Sequence, residues 1–145
     1  MAPRVVWVLG HSFVRRAAYR LQQLRKPNSA TSLDVAFRWC GVGGKGIKQL
    51  QQLVDLARGC PGLQSPDLII IHLGGNDLVH LGRKALREAI FLEITKLAKQ
   101  FPNAAIAWSH MVPRKRLGPG IKPRTINVSV RRLNAEMSKL CPGPT

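Results

Sequence analysis

The sequence predicts an α/β protein built on a doubly wound parallel sheet, folded as a single domain over residues 1–145. Three observations lead there. Four short strand-like runs alternate with four stretches of helical periodicity, the order expected of βαβ units. Two of the runs, VVWVL and LIII, are almost continuously apolar, as strands covered on both faces are. No segment repeats another, so the alternation reads as one sheet with right-handed crossovers.

The first run, RVVWVL from Arg4 to Leu9, is ended by Gly10 and reads as a buried strand. A helix follows from Ser12, a good N-cap, with Phe13, Val14, Ala17, Leu21 and Leu24 on one face and Arg15, Arg16 and Arg20 mostly on the other. Lys26, Pro27 and Asn28 should end it. LDVAFRW, Leu33 to Trp39, alternates as a second strand. After a glycine-rich loop, Ile47, Leu50, Leu53, Val54 and Ala57 mark a second helix closed by Gly59 and Pro61. DLIIIHL, Asp67 to Leu73, is the most apolar strand and runs into GGND, Gly74 to Asp77. A third helix is expected from about Lys84 to Phe101, a fourth strand over Asn103 to Ser109, and a last helix from about Ile126 to Leu140.

In sheets of this kind, sites form beyond the carboxyl ends of the strands. Those ends carry Gly10-His11-Ser12, Gly41 to Gly46, Gly74 to Asp77, and Ser109-His110.

At 145 residues the chain can bury roughly two thirds of its unfolded surface in one core. With 45% hydrophobic residues it lies far from disordered compositions. Its charge is unusual: 23 Lys and Arg against 7 Asp and Glu give a net charge of +16, which favours polyanions such as nucleic acid as partners. Cys40, Cys60 and Cys141 have no metal-binding spacing, and reduced thiols in the cytoplasm or nucleus are the simplest reading. Val5 to Leu9 is too short for a signal peptide's core, and nothing approaches the ~20 apolar residues of a membrane span.

The loop CGVGGKG contains G-x-G-x-x-G at Gly41, Gly43 and Gly46. A dinucleotide fingerprint, however, belongs after the first strand and needs an acidic residue ending the next one. Here the motif follows the second strand, and the third ends in Leu73-Gly74-Gly75. A plain tight turn is the second reading. The third takes the strand ends together: a serine at a helix N-terminus, with a glycine N–H and the Asn76 amide, can converge with the serine's own N–H on a developing oxyanion.

On these residues the chain resembles the SGNH hydrolase superfamily, the GDSL-type esterases. LGHSF resembles the first block and matches Ser12 to the nucleophile. GVGGKG is similar to the second block, with Gly44 as an oxyanion donor, and GGND to the third, with Asn76 as the amide donor. The wording also resembles SGNH-like domains in retroelement-derived reading frames. The resemblance implies a flavodoxin-like three-layer α/β/α sandwich with strand order 2-1-3-4. It also implies a serine esterase acting on a small ester substrate, with no metal or organic cofactor.

The chain departs from the family in two places. His11 replaces the aspartate of the first block, a change expected to alter local hydrogen bonding more than chemistry. The family's fifth block, Asp-x-x-His, which supplies the general base, is not found before Thr145; a chain truncated ahead of that block, without the fifth strand, is the expectation, and with it vestigial activity. His80, in Asp77-Leu78-Val79-His80, and His110, at the end of the fourth strand, are the substitute bases to consider, although a solvent-facing loop histidine is the plainer reading of His80. His72, inside an apolar strand, reads as a satisfied core histidine.

The loop PRKRLGPGIKPR and the helix after it place Arg114, Lys115, Arg116, Lys122, Arg124, Arg131 and Arg132 close in sequence. They read either as a solvated loop or as a sequence-independent phosphate-binding surface. The alternative to an esterase is therefore a non-catalytic basic module that binds nucleic acid or another polyanion.

Overall fold

The structure, a computed structural model, describes residues 3–24, 35–59, 65–114 and 120–140. The helix stop at Lys26 to Asn28, the start of the second strand at Leu33, Pro61, Lys115 and Arg116 lie outside the described residues.

Four strands, β1 (Arg4–Gly10), β2 (Val35–Gly41), β3 (Leu68–His72) and β4 (Ala105–Trp108), form one parallel sheet in the order β2-β1-β3-β4. Four helices connect and flank them: α1 (Ser12–Gln23), α2 (Leu50–Arg58), α3 (Arg83–Gln100) and α4 (Pro123–Leu140). A 3₁₀ turn, Ile47–Gln49, leads into α2.

Alternation along the strands decides which helix covers which face. Val5, Trp7 and Leu9 of β1 and Ile69 and Ile71 of β3 join Leu50, Leu53 and Val54 of α2, Leu86, Ile90 and Leu97 of α3, and Leu133 and Met137 of α4 in the main core. Val6 and Val8 point the other way, to Val14 of α1, with Val35, Phe37, Trp39, Leu68 and Ile70 packed around them. The sheet therefore carries α2, α3 and α4 on one face and α1 on the other. Right-handed crossovers require α1 on one face and α2 and α3 on the other, because the chain reverses direction across the sheet after β2.

The register aligns the strand ends. Gly10 of β1 pairs with Gly41 of β2 on one side and His72 of β3 on the other. The three segments that follow these residues thus emerge at the same level.

Candidate active site

His11, the first residue beyond β1, is buried and caps α1: its Nδ1 accepts the Phe13 N–H at 3.3 Å, and its carbonyl accepts the N–H groups of Val14 and Arg15 at 3.1 and 3.3 Å. The histidine thus satisfies helix donors that an aspartate at an N-cap would also satisfy. Burial, and then the nearby His72 and Arg114, lower its pKa from 6.5 to about 4, so the ring is neutral at physiological pH. Ser12 is the first residue of α1, half-buried at the positive end of the helix dipole. Neither its hydroxyl nor its backbone N–H has a hydrogen-bond partner among the described residues.

The loop after β2 is shaped by the segment after β3. Gly44 has φ +75°, a left-handed conformation that a side chain would strain, and its N–H likewise has no partner among the described residues. The Asn76 Nδ2 donates to the Lys45 carbonyl at 3.1 Å. Asp77 Oδ2 accepts the Ile47 N–H at 2.8 Å, and its carboxylate lies so close to Gly46 that a Cβ there would collide with it. GGND is itself a turn, with the Asp77 and Leu78 N–H groups donating to the Gly74 carbonyl at 3.1 and 3.0 Å.

Arg114 orients the Asn76 amide. Its Nη2 donates to Asn76 Oδ1 at 3.0 Å, so the oxygen of the amide is identified by a donor that cannot accept. The Asn76 NH₂ group is left with one hydrogen on Lys45 and a second to offer. The same guanidinium lies 5.9 Å from the centroid of the Phe13 ring, so one side chain reaches from Asn76 to the residue after Ser12.

The four histidines occupy different settings. His80 is exposed at the end of the turn, its backbone N–H on the Asp77 carbonyl at 2.9 Å. His110 is exposed and its Nε2 lies 2.9 Å from the Ser138 hydroxyl, which ties it to α4. No contact joins either to Ser12 among the described residues. His72 is half-buried with Nδ1 2.9 Å from the Ser109 hydroxyl, and its ring centroid lies 5.2 Å from that of His11 and 6.0 Å from that of Phe13. Burial lowers its pKa below 6.5.

Two features of this neighbourhood escape a reading of the sequence. In the sequence Arg114 reads as part of a basic cluster that is either a solvated loop or a phosphate-binding surface, and only the path of the chain after β4 brings it to Asn76. The pairing of His72 with Ser109 follows from the β3–β4 register, since Ile71 lies opposite Trp108; a His and a Ser each one residue beyond such a pair were the available signal. A shallow hollow of about 450 Å³ lined by Arg87, Glu88, Phe91, Leu92 and Thr95 belongs to α3 and includes none of the strand-end residues.

No family model matches the sequence, and no curated protein matches it. Solved structures do. The chain is similar to a GDSL-like lipase from Bacteroides thetaiotaomicron, with 17% identity and a TM-score of 0.62, over 94% of this chain and 64% of the lipase. It is similar to the psychrotrophic esterase EstA from Pseudoalteromonas sp., with 20% identity and a TM-score of 0.58, over 94% of this chain and 72% of that one. AlinE4, an SGNH-hydrolase family esterase, gives 21% identity and a TM-score of 0.58, over 94% and 73%. The chain thus spans less than two thirds of the length of the lipase. At these identities the likeness establishes architecture: the chain has the α/β fold of SGNH- and GDSL-type esterases.

Proposed function

We propose that the chain is a serine ester hydrolase domain. The observation that carries this reading is the pairing of a Ser12 hydroxyl without a partner among the described residues, at the start of α1, with the bond from Asn76 to the Gly44–Lys45 loop. Ser12 Oγ attacks the ester carbonyl. On this reading the oxyanion that forms is held by the Ser12 and Gly44 N–H groups and the second Asn76 Nδ2 hydrogen, acting as preorganised donors. The serine proton passes to a histidine, which returns it to the departing alcohol; water then releases the acyl group by the same steps in reverse.

Of the histidines, His72 suits the proton transfer best. It ends β3 on the side of the sheet that α1 covers, its ring lies against those of His11 and Phe13, the residues flanking Ser12, and Ser109 occupies its Nδ1, leaving Nε2 to accept. His80 and His110 remain candidates of the second rank, one exposed and the other bound to Ser138. Ser109 offers His72 a hydroxyl where serine proteases offer a carboxylate, and loss of that carboxylate costs them about 10⁴ in kcat. Slow turnover is therefore expected.

Hydrolysis of 4-nitrophenyl acetate tests the assignment. Ser12→Ala should reduce the rate to background and His72→Gln should reduce it at least 100-fold, while His80→Gln and His110→Gln leave it within about threefold. An unchanged rate in Ser12→Ala contradicts the proposal.

The second reading, a polyanion-binding module, is supported by the net charge of +16 and by Arg15, Arg16 and Arg20, all exposed along α1. It predicts RNA or DNA binding that falls steeply with salt and that Ser12→Ala does not alter. Salt-independent binding, or none, contradicts it.

A further inference from the structure

Arg114 is held in place from both ends. Its backbone N–H donates to Asn127 Oδ1 at 2.9 Å and its carbonyl accepts from Asn127 Nδ2 at 2.9 Å. Two turns further along α4, Asn134 grips Met111 in the same way, at 2.9 and 3.0 Å. Two side-chain amides thus do for residues 111–114 what a neighbouring strand would do, and lay that segment along α4.

From this fixed backbone the side chain turns to the strand ends, where Nη2 meets Asn76. Space for it exists because residue 75 is glycine: a Cβ there would stand 2.8 Å from Nη2. The guanidinium is half-covered and rests beside the Phe13 ring. It has no carboxylate partner among the described residues, where the ion pairs are Arg83 and Arg87 with Glu136 and Lys96 with Glu93. Of its five N–H donors one is used among the described residues, by a neutral amide. A fixed, half-buried guanidinium without a counter-ion among the described residues, whose charge also disfavours protonation of His11, is a receptor for a planar or tetrahedral anion.

We infer that Arg114 binds an anionic group of the substrate, a carboxylate, sulfonate or phosphate carried close to the scissile ester, so that the site selects anionic over neutral esters. The inference rests on Ser12 being the nucleophile for its catalytic consequence, but the anion site itself does not.

Two nearly isosteric esters separate these claims: 4-acetoxybenzenesulfonate and the neutral 4-acetoxybenzenesulfonamide. The ratio of their kcat/KM values is expected to favour the sulfonate by about 10- to 100-fold, the usual worth of a charge-assisted hydrogen bond. Arg114→Gln should bring the ratio to about one, and Gly75→Ala, which keeps the charge but displaces it, should lower it by a similar factor. Arg20→Gln, an exposed arginine of α1, should leave it unchanged. Equal loss for both esters in Arg114→Gln would mean that the residue only clamps Asn76, and an equal effect of Arg20→Gln would mean a diffuse basic field; either overturns the inference. Titration of the Ser12→Ala protein with the same two esters supplies the arm without turnover. Tighter sulfonate binding that Arg114→Gln abolishes upholds the anion site even if no variant hydrolyses either ester, in which case only the nucleophile assignment falls. Equal binding of both esters overturns the inference.

Discussion

Asp77 shows how much of the site depends on single residues. Its carboxylate caps the Ile47 N–H and fills the space that Gly46 leaves open, so it holds the second loop against the third. Asp77→Ala removes an acceptor from a buried donor and should cost about 1–3 kcal/mol in chemical denaturation. It should also lower ester hydrolysis more than Asp55→Ala, a change on the exposed side of α2; equal effects would remove Asp77 from the account. His11 makes a prediction in pH. Its folded pKa lies below the unfolded value, so the unfolded chain takes up a proton first as pH falls. The stability is complete above pH 6.5 and declines toward pH 4, by up to about 3 kcal/mol. His11→Asn, which keeps a capping acceptor that does not titrate, should flatten that decline; an unchanged profile places the titrating group elsewhere. At this scale the sequence revealed the three blocks, because each is local and sits at a strand end. It did not reveal Arg114 or the His72–Ser109 pair, because each is created by contacts between distant segments.

The elements were legible where periodicity and length agreed. β1, β3 and α3 lie within a residue or two of their expected spans, the two strands because apolar runs of strand length that end at glycine leave little choice. α4 begins at Pro123 rather than near Ile126; proline at the first helical position was the signal for the earlier start. The second helix was expected to run from Ile47, but its first three residues form a 3₁₀ turn closed by the Gln49 N–H on the Gly46 carbonyl at 3.1 Å, while Asp77 and the Gln49 side chain accept the Ile47 and Gly46 N–H groups. The first helix departs most from its pattern. Ala17 and Leu24 are exposed and only Val14 is fully buried, since α1 packs chiefly on β1 and β2, with Phe13 reaching His72 of β3. Stability should therefore depend unevenly on the two faces. Leu53→Ala, in the main core, is expected to cost about 2–5 kcal/mol, whereas Leu24→Ala should stay within about 0.5 kcal/mol. Comparable losses in urea denaturation would contradict the layer assignment.

At the scale of the molecule, a parallel sheet brings three loops to one level in a chain of net charge +16. The parallel sheet and the place of the candidate site beyond the carboxyl ends followed from the βαβ alternation, and the strand order from the resemblance to SGNH hydrolases. The net charge of +16, by contrast, is compatible with two uses, since a field that draws polyanions also draws small anions toward Arg114. No helix among the described residues is long and apolar enough to cross a membrane. The account turns on whether Ser12 is a nucleophile facing a formed oxyanion hole. Labelling with a fluorophosphonate, followed by mass mapping of the modified residue, asks this directly, because the reagent needs an activated serine and donors for its phosphoryl oxygen. Modification of Ser12 in the wild type, slowed by His72→Gln and absent in Ser12→Ala, is the predicted result; an unlabelled protein, or a label on another serine, would contradict it.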